Sequence, residues 1–170
     1  MLTIKSKAPI KKEIDYNILS ENYNKVNFDN FDFNTNIDNL KDVELGANIL
    51  LDSISKNLHI CIVTDYDVDG ISSVSILLKT FNFLGINSIF YIPKRIEEGY
   101  GINTQAIDTI KKMGADLIIT VDCGITSVDE IEYAKTIELD VIVTDHHQFL
   151  SETLPCEIVV DPFIQPDYEF

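Results

Sequence analysis

CIVTDYDVDG, residues Cys61 to Gly70, begins as one kind of structure and ends as another. Its first four residues are apolar or β-branched, as in a strand buried on both faces; aspartates then take every second position and a glycine closes the run. The same design returns in LIITVDCG (Leu117 to Gly124) and VIVTDHH (Val141 to His147). In an open α/β sheet, ligands bind outside the carboxyl ends of the strands. Asp65, Asp67, Asp69, Asp122, Asp145, His146 and His147 are therefore expected to gather along one edge.

The sequence between these runs supplies helices. A strand over His59–Thr64 leads through DYDVDG into a helix predicted from about Ser72 to Leu84, closed by Gly85, and Ser88–Ile92 is a second strand ended by Pro93. Asn103 caps a helix running to Met113, with Gly114 as its stop, before a strand over Asp116–Val121. Ser127 and Glu130 have capping-box spacing for a helix to about Ile137, ahead of the strand Val141–Thr144. A fifth strand, Glu157–Val160, ends in Asp161–Pro162. Strands alternating with helices in this way predict an α/β fold: a doubly wound, mostly parallel five-stranded sheet with helices on both faces.

Upstream, Leu40 to Lys56 reads as an amphipathic helix whose stripe is Leu40, Val43, Ala47, Leu50, Leu51 and Ile54. The Asn- and Asp-rich stretch before it, with isolated Phe residues, predicts an irregular arm over residues 1–39, leaving 40–170 as one domain. No run is long and uncharged enough for a membrane span or a signal peptide, which points to a cytoplasmic protein. Cys61, Cys123 and Cys156 form no C-x-x-C pair, so neither a disulfide framework nor a thiolate zinc site is expected.

The net charge of −15 is concentrated where the motifs are: from Cys61 onward there are 19 acidic residues against 6 basic ones. Broad duplex binding needs Lys and Arg in number and is excluded. Clustered carboxylates that cannot all ionise together are what a divalent cation relieves, and that cation can then meet a phosphate. DYDVDG also resembles the start of a calcium-binding EF-hand loop, but Ile76 stands where that loop needs Glu. Gly70 is expected to let the backbone turn tightly into the next helix, whose amino-terminal amides add positive potential. Carboxylate and imidazole donors without thiolate suit manganese or magnesium better than structural zinc. Ser72 and Ser73 lack a base at suitable spacing and read as capping or phosphate-contacting hydroxyls.

DYDVDG, VDCGIT and TDHH, in this order and spacing, resemble the first three motifs of the DHH phosphoesterase superfamily. PKRIEEGYGI (Pro93 to Ile102) resembles a segment of the RecJ-type single-strand-specific DNA exonucleases. The resemblance implies two manganese ions, with magnesium as the alternative, held by Asp67, Asp69, Asp122 and His146 with Asp65 in support. It places His147, beside Asp145, at the scissile phosphate. Arg95 and Tyr100, with Gly70 and Ser73, would hold the strand. The implied function is hydrolysis of single-stranded DNA from 5′ to 3′ in recombination and repair, with repair or replication proteins as partners. A phosphodiesterase for short oligonucleotides or cyclic dinucleotides, and an inactive protein-binding scaffold, are the alternatives.

The sequence departs from the family in two places. Thr64 stands where members usually carry Gly, which predicts strain at the strand end. The resemblance also implies a fourth Asp motif, a DHH-associated domain and an OB-like domain beyond Phe170, so the chain is expected to be a truncated form or a reduced relative. Asp161 and Asp167 could stand in for the fourth motif, but Asp161, flanked by Pro162, reads better as a turn residue.

Overall fold

The computed structural model describes residues 39–93, 101–148 and 153–165. Five strands, β1 (Ile60–Thr64), β2 (Ser88–Tyr91), β3 (Leu117–Val121), β4 (Asp140–Thr144) and β5 (Val159–Val160), form one sheet in the order β2-β1-β3-β4-β5. Every neighbouring pair is parallel. Among the described residues four helices, α1 (Val43–Ser55), α2 (Val68–Phe83), α3 (Thr104–Lys112) and α4 (Val128–Thr136), accompany the sheet. It is the doubly wound α/β architecture expected from the alternating pattern.

All five residues of β1 and of β3 are buried, because both faces of these central strands are covered. Cys61, Val63 and Ile118 pack with Ile107, Ile110 and Ala134 on the side of α3 and α4. Ile60, Ile62, Leu117 and Ile119 pack with Val74, Phe81 and Leu50 on the side of α1 and α2. Each fully buried Ile or Leu contributes about 1.5–3 kcal/mol. The strand run that looked uniformly apolar is thus divided by its two-residue period between two cores. Among the described residues no helix is long and apolar enough to cross a membrane.

Several local expectations are corrected. The helix expected from Ser72 begins four residues earlier, at Val68, because the Asp67 side chain accepts from the amides of Asp69 and Gly70 and caps it. Gly70 therefore lies in the first helical turn and is no hinge. It is glycine for space: a Cβ there would sit 2.5 Å from Thr64 Oγ1 and 2.7 Å from the Asp65 carbonyl oxygen. Thr64 itself is an ordinary strand residue and not one of the positive-φ positions, so the strain expected of it is absent.

The buried face of α1 includes Gly46 and Ser53, while Ala47 and Leu51 are exposed. Small residues let that helix approach the sheet, with the Gly46 backbone close against Ile158. Ser127 precedes α4 without a side-chain cap, so the capping box with Glu130 does not form. β5 begins at Val159, not Glu157, since only Val143 and Thr144 of β4 have partners there. Asn103 does cap α3, accepting from the Ala106 amide, and Gly114 follows with φ +87.

Candidate metal centre

With β1 flanked by β2 on one side and β3 on the other, successive connections leave in opposite directions from the carboxyl ends of β1 and β3. That divergence is the ligand-binding switch point of such sheets. β1 ends there in Asp65 and Asp67, and β3 ends in Asp122.

Asp122 has φ 61, in the left-handed region that Asp tolerates better than most residues. This backbone turn takes the chain off β3 at once and leaves the carboxylate beneath the end of β4. There Asp122 Oδ1 lies 2.7 Å from His146 Nε2. Its other oxygen, Oδ2, is buried and takes no N–H or O–H donor among the described residues. Burial pushes the Asp122 carboxyl above the usual carboxylate range. His146 opposes that shift, and the neighbouring Asp67 carboxylate adds to it. Asp67 moves the other way, held low first by the Gly70 amide. The two carboxylates are thus close enough for each to act on the other's charge.

Asp145 ties the loops together. Its Oδ1 accepts from the amides of His146 (2.7 Å) and His147 (3.2 Å) and lies 2.7 Å from His147 Nδ1. Its Oδ2 accepts from the amide of Ile125 in the loop after β3. The hydrogen bond from Asp145 is the main reason that the His147 pKa is raised. It also fixes Nδ1 as the proton-bearing nitrogen when the ring is neutral.

One ligand atom each from Asp122, His146 and His147 lie within 4.8 Å of one another. Asp69 and Ser73, from α2, line a cleft of about 710 Å³ together with Asp122 and His146. Asp65 is buried below, with Oδ1 accepting from the Tyr66 amide and Oδ2 unpartnered among the described residues. Buried carboxylate oxygens without donors, beside imidazole nitrogens and with no thiolate, fit a hard or borderline divalent cation. The residues of the three motifs therefore converge, although Asp69 stands outside the tight Asp122–His146–His147 group. Arg95 and Tyr100 lie outside the described residues.

Asp161 was undervalued in the sequence. It does cap the short 3-10 turn Pro162–Ile164, accepting from the Phe163 amide, as a turn residue should. It is also fully buried, with Oδ2 unpartnered among the described residues, and feels the charges of Asp145, His146 and His147. The signal that could have found it is its place at the end of the strand beside β4.

Residues 59–168 match the model of the DHH family, N-terminal domain. The chain belongs to the DHH family. It is 44% identical over 123 residues to the single-stranded-DNA-specific exonuclease RecJ of Bacillus subtilis, an alignment covering 72% of this chain and 16% of that protein. The fold is similar to a crystal structure of exonuclease RecJ bound to manganese, with a TM-score of 0.70, 35% identity, and coverage of 76% of this chain and 33% of that one. It is also similar to RecJ of Thermus thermophilus in complex with Mn2+, with a TM-score of 0.66, 30% identity, and coverage of 78% and 18%. The chain thus spans less than a quarter of the length of the curated RecJ proteins it matches.

Proposed function

We propose that this DHH domain is the catalytic part of a manganese-dependent phosphodiesterase that hydrolyses single-stranded DNA from the 5′ end. The observation that carries the reading is the Asp122–His146–His147 group at the β1/β3 switch point, with a buried carboxylate oxygen left for a cation. The likeness to RecJ supports the choice of nucleic acid as substrate.

Two ions, manganese or magnesium, would be held by Asp67, Asp69, Asp122 and His146, with Asp65 behind them. When bound, such ions supply positive charge to a phosphate and acidify water at neutral pH. The protein's own groups do the rest. Asp145 orients His147 and keeps its ring proton-rich, so that His147 donates a hydrogen bond to the phosphate as negative charge grows there. Asp122, its charge shared with His146, fixes the depth of the site. Ser73, on the cleft wall, would offer its hydroxyl to the strand, Gly70 would act only by keeping the start of α2 close to the end of β1, and Arg95 and Tyr100 would add contacts to the strand. Three free, buried cysteines, with the Cys61 thiol pushed up to about 12 by burial, support action in the reducing cytoplasm.

The test is degradation of 5′-labelled and 3′-labelled single strands with manganese, run beside a dinucleotide. Progressive loss from the 5′ end is expected. Preferential cleavage of the dinucleotide would move the domain to the short-oligonucleotide phosphodiesterases.

A further inference from the structure

A second cavity, of about 390 Å³, shares His147 and Asp145 with the metal centre and otherwise has walls of its own. Gly124, Thr126 and Ser127 line it from the loop after β3, Gly101 closes one side, and His147 and Gln148 form another. The amino terminus of α4 opens beside it. The first intrahelical bond of α4 is donated by the Ile131 amide to the Ser127 carbonyl, so the amides of Val128, Asp129 and Glu130 have no helical acceptor. In most helices the residue at position 127 would bond one of these with its side chain; Ser127 does not.

The Ser127 side chain faces the same cavity. The residue is only 8% exposed, it lines the cavity, and its hydroxyl makes no hydrogen bond among the described residues. A Cβ on Gly101 would lie 3.8 Å from Ser127 Oγ, in van der Waals contact, so it is the lack of a side chain at Gly101 that leaves room in front of the hydroxyl. A mostly buried residue whose hydroxyl bonds none of the adjacent free amides keeps that hydroxyl available to a ligand in the cavity. Asp145 itself lines the cavity, but its oxygens are engaged by the amides of Ile125, His146 and His147 and by His147 Nδ1. Asp129 and Glu130 do not line the cavity.

We propose that this cavity is a phosphate subsite, in which the Ser127 hydroxyl and the first amides of α4 bind a phosphodiester of the strand neighbouring the one held at the metal centre. The identity of the ligand as a strand phosphate rests on the function proposed above; the anion site itself does not. The hydroxyl donates to a phosphate oxygen, the helix amides donate to another, and the helix dipole favours the negative charge. The spacing of the two sites about His147 then sets which bond is presented for cleavage.

The experiment is amide NMR on the 15N-labelled chain, free of metal, titrated with orthophosphate and separately with a 5′-phosphorylated thymidine tetranucleotide. Saturable shifts of the Val128 and Asp129 amides are expected with both. Ser127→Ala is expected to weaken both affinities about tenfold, as for one hydrogen bond to a charged group. Ser127→Asp, which remains a preferred residue at a helix start and keeps the fold, is expected to abolish them by filling the site with its own carboxylate. The absence of saturable shifts at these amides, or equal affinity in all three proteins, would overturn the subsite. Shifts with orthophosphate but none with the tetranucleotide would leave an anion site and overturn its assignment to a nucleic-acid strand.

Discussion

The junctions that follow β1 and β3 are built from the same parts and spend them differently. Each has a threonine in its strand, aspartate within three residues of the strand end, and a glycine pressed against that threonine. After β1 the chain stays in ordinary backbone regions, and Asp67 turns its carboxylate onto its own helix, satisfying the amides of Asp69 and Gly70. After β3 the chain passes through φ 61 at Asp122 and φ +110 at Gly124, and the aspartate faces His146. Its helix starts uncapped. The first junction caps its own helix with a carboxylate that still borders Asp122, and the second leaves a carboxylate oxygen and a helix start without side-chain partners among the described residues.

The largest expected effect separates those two aspartates. Asp122→Asn keeps a side chain suited to the left-handed region but removes the charge. It should lower manganese affinity by more than about 100-fold, beyond the loss of a merely supporting residue, with an unchanged circular dichroism spectrum. Calorimetric titration showing wild-type affinity would end the assignment of Asp122 as a ligand.

The glycines come next. Gly70→Ala should cost about 1–3 kcal/mol in denaturant melts, as overpacking does, and Gly124→Ala more, because its φ of +110 adds backbone strain to the contact. Adding Thr120→Ala should recover part of the Gly124→Ala loss, because every close neighbour of that Cβ belongs to the Thr120 side chain. Adding Thr64→Ala should recover little for Gly70→Ala, where the Asp65 carbonyl oxygen remains at 2.7 Å. Equal rescue at both positions would erase the distinction.

Much of this contrast was hidden in the sequence, while the fold around it was open. The apolar runs of β1 and β3 announced central strands because burial on both faces tolerates nothing else, and Asn103 and Gly114 marked the ends of α3 by local chemistry. The convergence of DYDVDG, VDCG and TDHH followed from the parallel topology alone. What the sequence withheld depends on a side chain choosing between partners. Asp67 could serve its helix or a ligand, Ser127 could cap or not, and Asp122 could adopt the left-handed turn or leave it to Gly124. Gly46 and Ser53 on the packed face of α1 escaped notice because a close helix–sheet approach rewards small residues, whereas periodicity counts large apolar ones.

Smaller effects concern protons, in the metal-free protein. NMR titration should give His147 a pKa above 6.5, falling back toward that value in Asp145→Asn. Because the folded value is raised, the pair's contribution to stability is fully present below pH 6.5 and lost as pH rises through the folded pKa. Asp67 has the opposite sign. Its contribution is present above its unfolded value of 3.8 and lost as pH falls through the lower folded one, so Asp67→Ala should depress the melting temperature at neutral pH and converge with wild type in acid. Ser127→Ala, which removes no cap, should leave the melting temperature close to wild type; an equal loss in both variants would mean that both junctions are capped alike.

The left-handed turn at Asp122 has an evolutionary side. Single-nucleotide changes in an aspartate codon reach Asn and Gly, and these are two of the residues most at ease with positive φ. Neither can carry the charge. If Asp122 holds the cation as proposed, its position is one where a lineage can drop the chemistry in one step while keeping the fold, and folded, silent descendants of this domain are a short walk away.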